Sequence, residues 1–218
     1  MKTKSGLVDL PLFPLNVVLF PGQTLPLHIF EPRYRAMIAH CIAEKEPFGV
    51  VLADEDTGEP SIVGTLAKIT QVKKLPDGRL DILCVGTERF RLKDVRVGDD
   101  DYLLGNGFLF PFKKNIKLNR EDKRDALRRL KIYLKLLAQV NDLEFQFDDL
   151  PRNSSELAVL TAIVLQVPLE DKQQILNIEN IGDMLEFEQR ILQEEIFTLG
   201  LMARAVPPAE EIGIFSRN

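Results

Sequence analysis

Residues 10–35 read LPLFPLNVVLFPGQTLPLHIFEPRYR, a stretch in which Pro11, Pro14, Pro21 and Pro26 alternate with apolar pairs. Proline donates no ladder hydrogen bond, so each strand written this way is expected to be short or to lie at a sheet edge. The expected product is a small, irregular β-barrel. Glu31-Pro32 then opens a helix, with proline where its missing N–H costs nothing. Tyr34, Met37, Ile38, Cys41 and Ile42 recur at helical spacing and predict one apolar stripe lying against the barrel, flanked or opposed by Arg33 and Arg35.

Downstream the period is two. Leu80, Ile82, Cys84, Phe90 and Leu92 share one strand parity while Asp81, Arg89, Arg91 and Lys93 share the other, which predicts a half-buried strand broken near Gly86. Pro76-Asp77-Gly78 marks a hairpin turn before it and therefore antiparallel pairing. Asp99-Asp100-Asp101 reads as a solvated acidic turn ahead of the alternating Tyr102, Leu104, Phe108, Phe110 and Phe112. Past Pro111 the period changes to about 3.6. Asn119 can cap a helix whose buried stripe is Leu127, Leu130, Leu134 and Leu137; Ser154 or Ser155 starts another through Val167, closed by Pro168. A short helix over 171–177 and a long one over 180–205 complete a small bundle. The fold class expected is α+β, with a β-barrel lobe over 8–112, a helical lobe over 113–205 and a mobile tail over 206–218.

A chain of 218 residues, 45% of them hydrophobic, can bury a real core and fits one or two domains. The net charge of −5 offers no global attraction to nucleic acid or anionic lipid. No apolar run approaches a membrane span, and Pro11 and Pro14 interrupt the start where a secretory signal would be continuous, so a cytoplasmic location and no membrane partner are expected. Cys41 and Cys84 fall on apolar faces without a second cysteine at ligand spacing, and His28 and His40 are isolated, so buried thiols and no metal or other cofactor are expected. The serines lie in no Gly-x-Ser-x-Gly elbow, and Asp148-Asp149 sits in a polar loop that would raise neither pKa selectively.

The opening stretch resembles the start of the Lon protease N-terminal domain. The similarity resumes at Phe48-Gly49-Val50-Val51-Leu52, Val63-Gly64-Thr65-Leu66-Ala67-Lys68-Ile69, Leu75-Pro76-Asp77-Gly78-Arg79-Leu80 and Gly86 with Arg89-Phe90-Arg91-Leu92, and continues more weakly at Ser155-Glu156-Leu157-Ala158 and Lys172-Gln173-Gln174-Ile175-Leu176. The resemblance implies a PUA-like β-barrel followed by a C-terminal helical bundle, and a role in engaging protein substrates outside the catalytic machinery. A full-length Lon enzyme carries an ATPase and a serine-lysine protease module. No Gly-Lys dipeptide, as a phosphate-binding loop requires, occurs in these residues, so a stand-alone, non-enzymatic copy is expected.

Two functions are then weighed. A protein- or peptide-binding module would use an apolar groove between barrel and helices, with Phe20, His28, Phe30, Glu31, Arg33, Tyr34 and Arg35 as candidate contacts, because they mix apolar surface with charges able to bond peptide groups. Its partners would be unfolded protein or peptide segments and an AAA+ protease. The alternative is an RNA reader using the basic block of Lys113, Lys114, Lys117, Arg120, Lys123, Arg124, Arg128, Arg129, Lys131 and Lys135. The acidic total and the interleaved Glu121, Asp122 and Asp125 weigh against nucleic acid, so peptide binding is the expected function.

Overall fold

The structure is a computed structural model that describes residues 2–3, 6–113, 120–141, 150–151 and 153–205. Seven strands form one sheet: β1 (Lys2–Thr3), β2 (Gly6–Leu15), β3 (Thr24–Ile29), β4 (Phe48–Leu52), β5 (Val63–Lys74), β6 (Leu80–Val97) and β7 (Leu103–Leu109). Strand β2 runs parallel to β4 and antiparallel to β7, while β4–β5, β5–β6 and β6–β7 are antiparallel, so these five strands close a ring. The barrel read from the sequence is therefore present. β3 lies outside the ring, paired along the first half of β6.

The proline rule holds in a form the sequence does not show. β2 is ten residues long and carries Pro11 and Pro14, yet it is a ring strand rather than a short edge. Its neighbours are staggered: β7 pairs with Leu7 to Leu12 and β4 with Leu12 to Leu15, so each proline sits in a half that is an edge on one side. Pro26 lies in β3, whose one partner is β6.

β6 is not broken at Gly86 but runs unbroken for 18 residues. The glycine is required by a close approach: a Cβ there would overlap the Phe20 carbonyl oxygen, because Gly86 exchanges backbone hydrogen bonds with Gly22 and Gln23 at 2.8 and 2.9 Å. The parity reading is correct for Leu80, Ile82, Cys84, Phe90 and Leu92, all buried. It fails for Arg89, which is 1% exposed, because Phe110 and Phe112 and the carbonyls of Leu176 and Ile178 cover that face.

Helix α1 (Pro32–Glu44) lays Tyr34, Met37, Ile38 and Cys41 on the sheet, where they join Phe13, Phe48, Val50, Ile82 and Cys84 in one core cluster. Phe13 stacks on Tyr34 with centroids 4.1 Å apart. Burying each such large apolar side chain stabilises the fold by about 1.5–3 kcal/mol. A second cluster inside the ring gathers Leu10, Leu12, Val51, Leu66, Phe90 and Leu92.

Four helices follow: α2 (Arg120–Val140), α3 (Ser154–Val164), α4 (Leu169–Asn177) and α5 (Ile181–Ala205). Asn153, not a serine, caps α3, its Oδ1 accepting from the Ser155 N–H at 2.9 Å. α3 stops at Val164 rather than Val167, and Pro168 begins α4 instead of ending its predecessor. By compactness the chain forms one unit of Met1–Lys113 with Ala162–Asn180 and another of Lys114–Thr161 with Ile181–Asn218. Residues 162–180, within the stretch read as helical lobe, thus belong with the strands: Gln173 Nε2 donates to the Val63 carbonyl at 3.0 Å and the Lys113 N–H to that of Glu179 at 2.7 Å. In the second unit α2 packs on α5, burying Leu130, Tyr133, Leu134 and Leu137 from one helix and Met184, Leu185 and Leu192 from the other. Asn119, Asp148, Asp149 and the tail over 206–218 lie outside the described residues.

Candidate functional site

The face of α1 turned away from the core is built from small residues. Pro32, Arg35, Ala36, Ala39, Ile42 and Ala43 recur at i, i+3/i+4 and i+7, and they form one wall of an apolar groove of about 660 Å³. The other wall is the β5–β6 hairpin, with Lys74, Leu75, Gly78 and Leu80. Alanine at three of these positions leaves space that larger side chains would fill. The hairpin is tied by the Leu75 N–H bonded to the Arg79 carbonyl at 2.9 Å and the Gly78 N–H to that of Leu75 at 3.0 Å. Gly78 has φ +82°, so glycine is needed there for conformation, and the Arg35 guanidinium lies against it. Ile42, read as part of the core stripe, is exposed in this groove because it sits at the stripe's margin.

Arg35 is the one nominated residue that lines the groove. Phe20 is wholly buried and Tyr34 nearly so, which makes both core side chains. Burial also raises the Tyr34 pKa, against the lowering effect of Arg33. Arg33 reaches back to Glu31 at 2.8 Å and lies 4.6 Å from the Tyr34 ring, so these two charges satisfy each other on the surface. His28 and Phe30 stack with centroids 6.2 Å apart, and Phe30 is 60% exposed. His28 Nδ1 is 2.6 Å from Asp81 Oδ1 and its Nε2 3.2 Å from Arg79 Nη1; the Nδ1–H tautomer serves both, donating to the carboxylate and accepting from the guanidinium. Asp77 bonds the N–H and side chain of Arg79, and the first of these bonds chiefly holds its carboxyl below the usual range. The hairpin that walls the groove therefore also positions the His28–Phe30 pair.

The family model of the ATP-dependent protease La (LON) substrate-binding domain matches residues 9–194. The chain belongs to this family. Among curated relatives, Lon protease of Buchnera aphidicola (strain APS) is 26% identical over 209 residues, covering 92% of this chain and 27% of the relative. Lon protease of Parabacteroides distasonis is 31% identical over 196 residues, covering 84% of this chain and 23% of the relative. The chain thus spans about a quarter of the curated relatives it matches. The Lon N-terminal domain protein from Xanthomonas campestris superposes with a TM-score of 0.66 at 26% identity, covering 81% of this chain and 94% of that one. The N-terminal domain of Mycobacterium avium complex Lon protease, at 19% identity and TM-score 0.60, shares the fold.

Other candidate sites in this LON domain are engaged structurally. Arg128 pairs with Asp125 and Lys113 with Glu179 on the surface, while Arg129 donates to the neutral Gln193 amide oxygen and keeps its charge; Lys114 and Lys117 lie outside the described residues. Cys41 and Cys84 are buried free thiols whose pKa burial pushes to about 12. Among the described residues no three His, Cys, Asp or Glu side chains are placed to hold one metal ion, and no helix is long and apolar enough to cross a membrane. The α1–hairpin groove is not legible from the Tyr34–Ile42 stripe, because that stripe marks the core face of α1. The alanine spacing at 36, 39 and 43 was the signal of a second.

Proposed function

We propose that this LON domain binds unfolded or extended polypeptide segments without catalysis, in the groove between α1 and the β5–β6 hairpin. The observation that carries the reading is the apolar trough of Ala36, Ala39, Ile42, Ala43, Leu75 and Leu80, with the charged groups of Arg35 and Lys74 among its walls. Apolar side chains of a client would fill the trough while the cations bond its carbonyls. Membership of a substrate-binding domain family supports the same reading. An AAA+ protease is the partner to which such clients would be handed, and the cytosol is where they would be met. The 218 residues are themselves expected to turn over neither ATP nor casein.

Ala39→Glu tests the site, because it sets a carboxylate in the trough from an exposed helix position. Binding of a permanently unfolded model protein, read by fluorescence anisotropy, should fall at least about tenfold, while stability changes within about 0.5 kcal/mol as surface substitutions do. Unchanged affinity for the unfolded protein would place binding elsewhere.

A further inference from the structure

A second cavity of about 280 Å³ lies on the same compact unit, lined by Ser61, Ile62, Val63, Arg91, Gln173 and Asn177. Its chemistry differs from that of the groove. Arg91 rests on the Phe110 ring at 4.3 Å and its Nε is sealed from solvent, so a ligand in the cavity would meet the Nη end of the guanidinium. Arg89 lies 4.7 Å from the same ring, so two guanidinium groups share one aromatic side chain. Their like charges meet: Arg91 adds to the burial that lowers the Arg89 pKa to about 9. The carboxylate that feels both, Glu179, is hydrogen-bonded to Lys113. The count of Arg89, Arg91 and Lys113 against Glu179 leaves the neighbourhood cationic.

The remaining walls say which anion fits. Gln173 is 8% exposed and its Nε2 donates to the Val63 carbonyl and to Asn177 Oδ1, both at 3.0 Å. With Oδ1 so occupied, what the Asn177 amide can offer a ligand is its NH2 group, a donor. Ser61 adds a hydroxyl. Ile62, 64% exposed, sets an apolar side chain beside these donors. Gln173 Oε1 is sealed from solvent, so it offers a ligand in the cavity no acceptor. A planar fork, a second donor and an apolar neighbour in so small a cavity suit a carboxylate better than a phosphate, which would call for more cations.

We propose that the Arg91 pocket binds a carboxylate group of a client polypeptide, with Arg91 as the fork, Asn177 and Ser61 as further donors and Ile62 against the neighbouring side chain. Either a chain terminus or an acidic side chain supplies that chemistry. The source of the carboxylate rests on the polypeptide-binding reading above; the pocket itself does not involve the α1 groove.

The test is an NMR titration of the full chain with three probes: N-acetyl-Ala-Leu as free acid, the same dipeptide as its amide, and N-acetyl-Ala-Asp-Leu amide. Saturable shifts of the Arg91 Nε–Hε signal and of the Ser61 and Asn177 amides are expected with a carboxylate-bearing probe, at affinity at least about tenfold above the uncharged amide. The free acid or the aspartyl probe, whichever binds, identifies the terminus or the side chain as the source. Arg91→Gln should erase the difference and Arg91→Lys, which keeps the positive charge, should restore part of it, with melting temperature confirming the fold of both. Equal response to all three probes, or a preference that survives Arg91→Gln, would overturn the proposal. Ala39→Glu in the same titration should leave these shifts intact, so loss of unfolded-protein binding and loss of carboxylate binding separate the two readings.

Discussion

Arg89 heads the side chains withdrawn fully from water, ahead in size of Tyr133 and Phe20. Its guanidinium lies 3.4 Å from the Phe112 ring centroid, and Nη1 donates to the carbonyls of Leu176 and Ile178, while Nε and Nη2 have no hydrogen-bond partner among the described residues. Burial lowers its pKa to about 9, which leaves it cationic at neutral pH. Arg89→Ala removes the donor of one buried and one part-buried carbonyl and opens space beside two rings, so a loss of about 3 kcal/mol is expected in urea unfolding. A loss below about 1 kcal/mol would show that the arginine is not what joins 176–178 to the barrel. Glu188 is a different case. It is fully buried, neither oxygen has a hydrogen-bond partner among the described residues, and burial raises its pKa well above the usual carboxylate value. The folded state then binds a proton that the unfolded state releases above its ordinary pKa of about 4.3, so stability falls as pH rises from there towards the folded pKa. Glu188→Gln should flatten this slope and stabilise the protein at pH 7, as chemical denaturation at a series of pH values will show; an unchanged slope would refute the assignment.

Among the elements, α1 has one face for the core and one for the groove, set apart by residue spacing around the helix. The helix closes on Lys45 at φ +56°, with the N–H of Glu46 bonded to the Cys41 carbonyl at 3.0 Å and that of Lys45 to Ile42, a six-to-one and five-to-two pair of bonds. A lysine in the left-handed region is strained, so Lys45→Gly should raise stability by about 0.5–1 kcal/mol, read from the denaturation midpoint. Gly86→Ala should act in the opposite sense, because its Cβ would meet the Phe20 carbonyl oxygen within the 20–23 turn. Overpacking of this kind costs about 1–3 kcal/mol. An alanine variant with an unchanged midpoint would mean that the turn yields freely. Stretch 10–35 was legible at this scale in kind, strand then helix, but not in the staggered pairing that admits two prolines to a ring strand.

For the whole molecule, the segment 162–180 is the lesson. Gln173 closes the open end of β5 through the Val63 carbonyl, and the 176–178 carbonyls hold Arg89, so the barrel unit includes residues far along the chain. A fragment ending at Lys113 would leave Arg89 without its acceptors. It should lose the cooperative melting transition of the full chain, measured by calorimetry, despite containing every strand; a sharp transition at the full-chain temperature would refute this.

The residues in order were enough for the kinds of element, the family, the α1 stripe and the inward parity of β6. Hydrophobic period, proline, glycine and the 75–80 turn are local constraints that act wherever the chain goes, and Leu80, Ile82, Cys84, Phe90 and Leu92 lie where parity placed them. What each polar residue faces depends on which distant segment covers it, and only the tertiary structure decided that. Arg89 and Arg91 share one strand parity, yet the first is sealed beneath 176–178 and the second lines an open cavity. Phe20 and Phe30 look alike as candidate contacts, and the first is core while the second is exposed. The groove arises where the back of α1 meets a hairpin more than thirty residues away. No local period records that meeting, because a period specifies which side chains share a face and not what stands opposite.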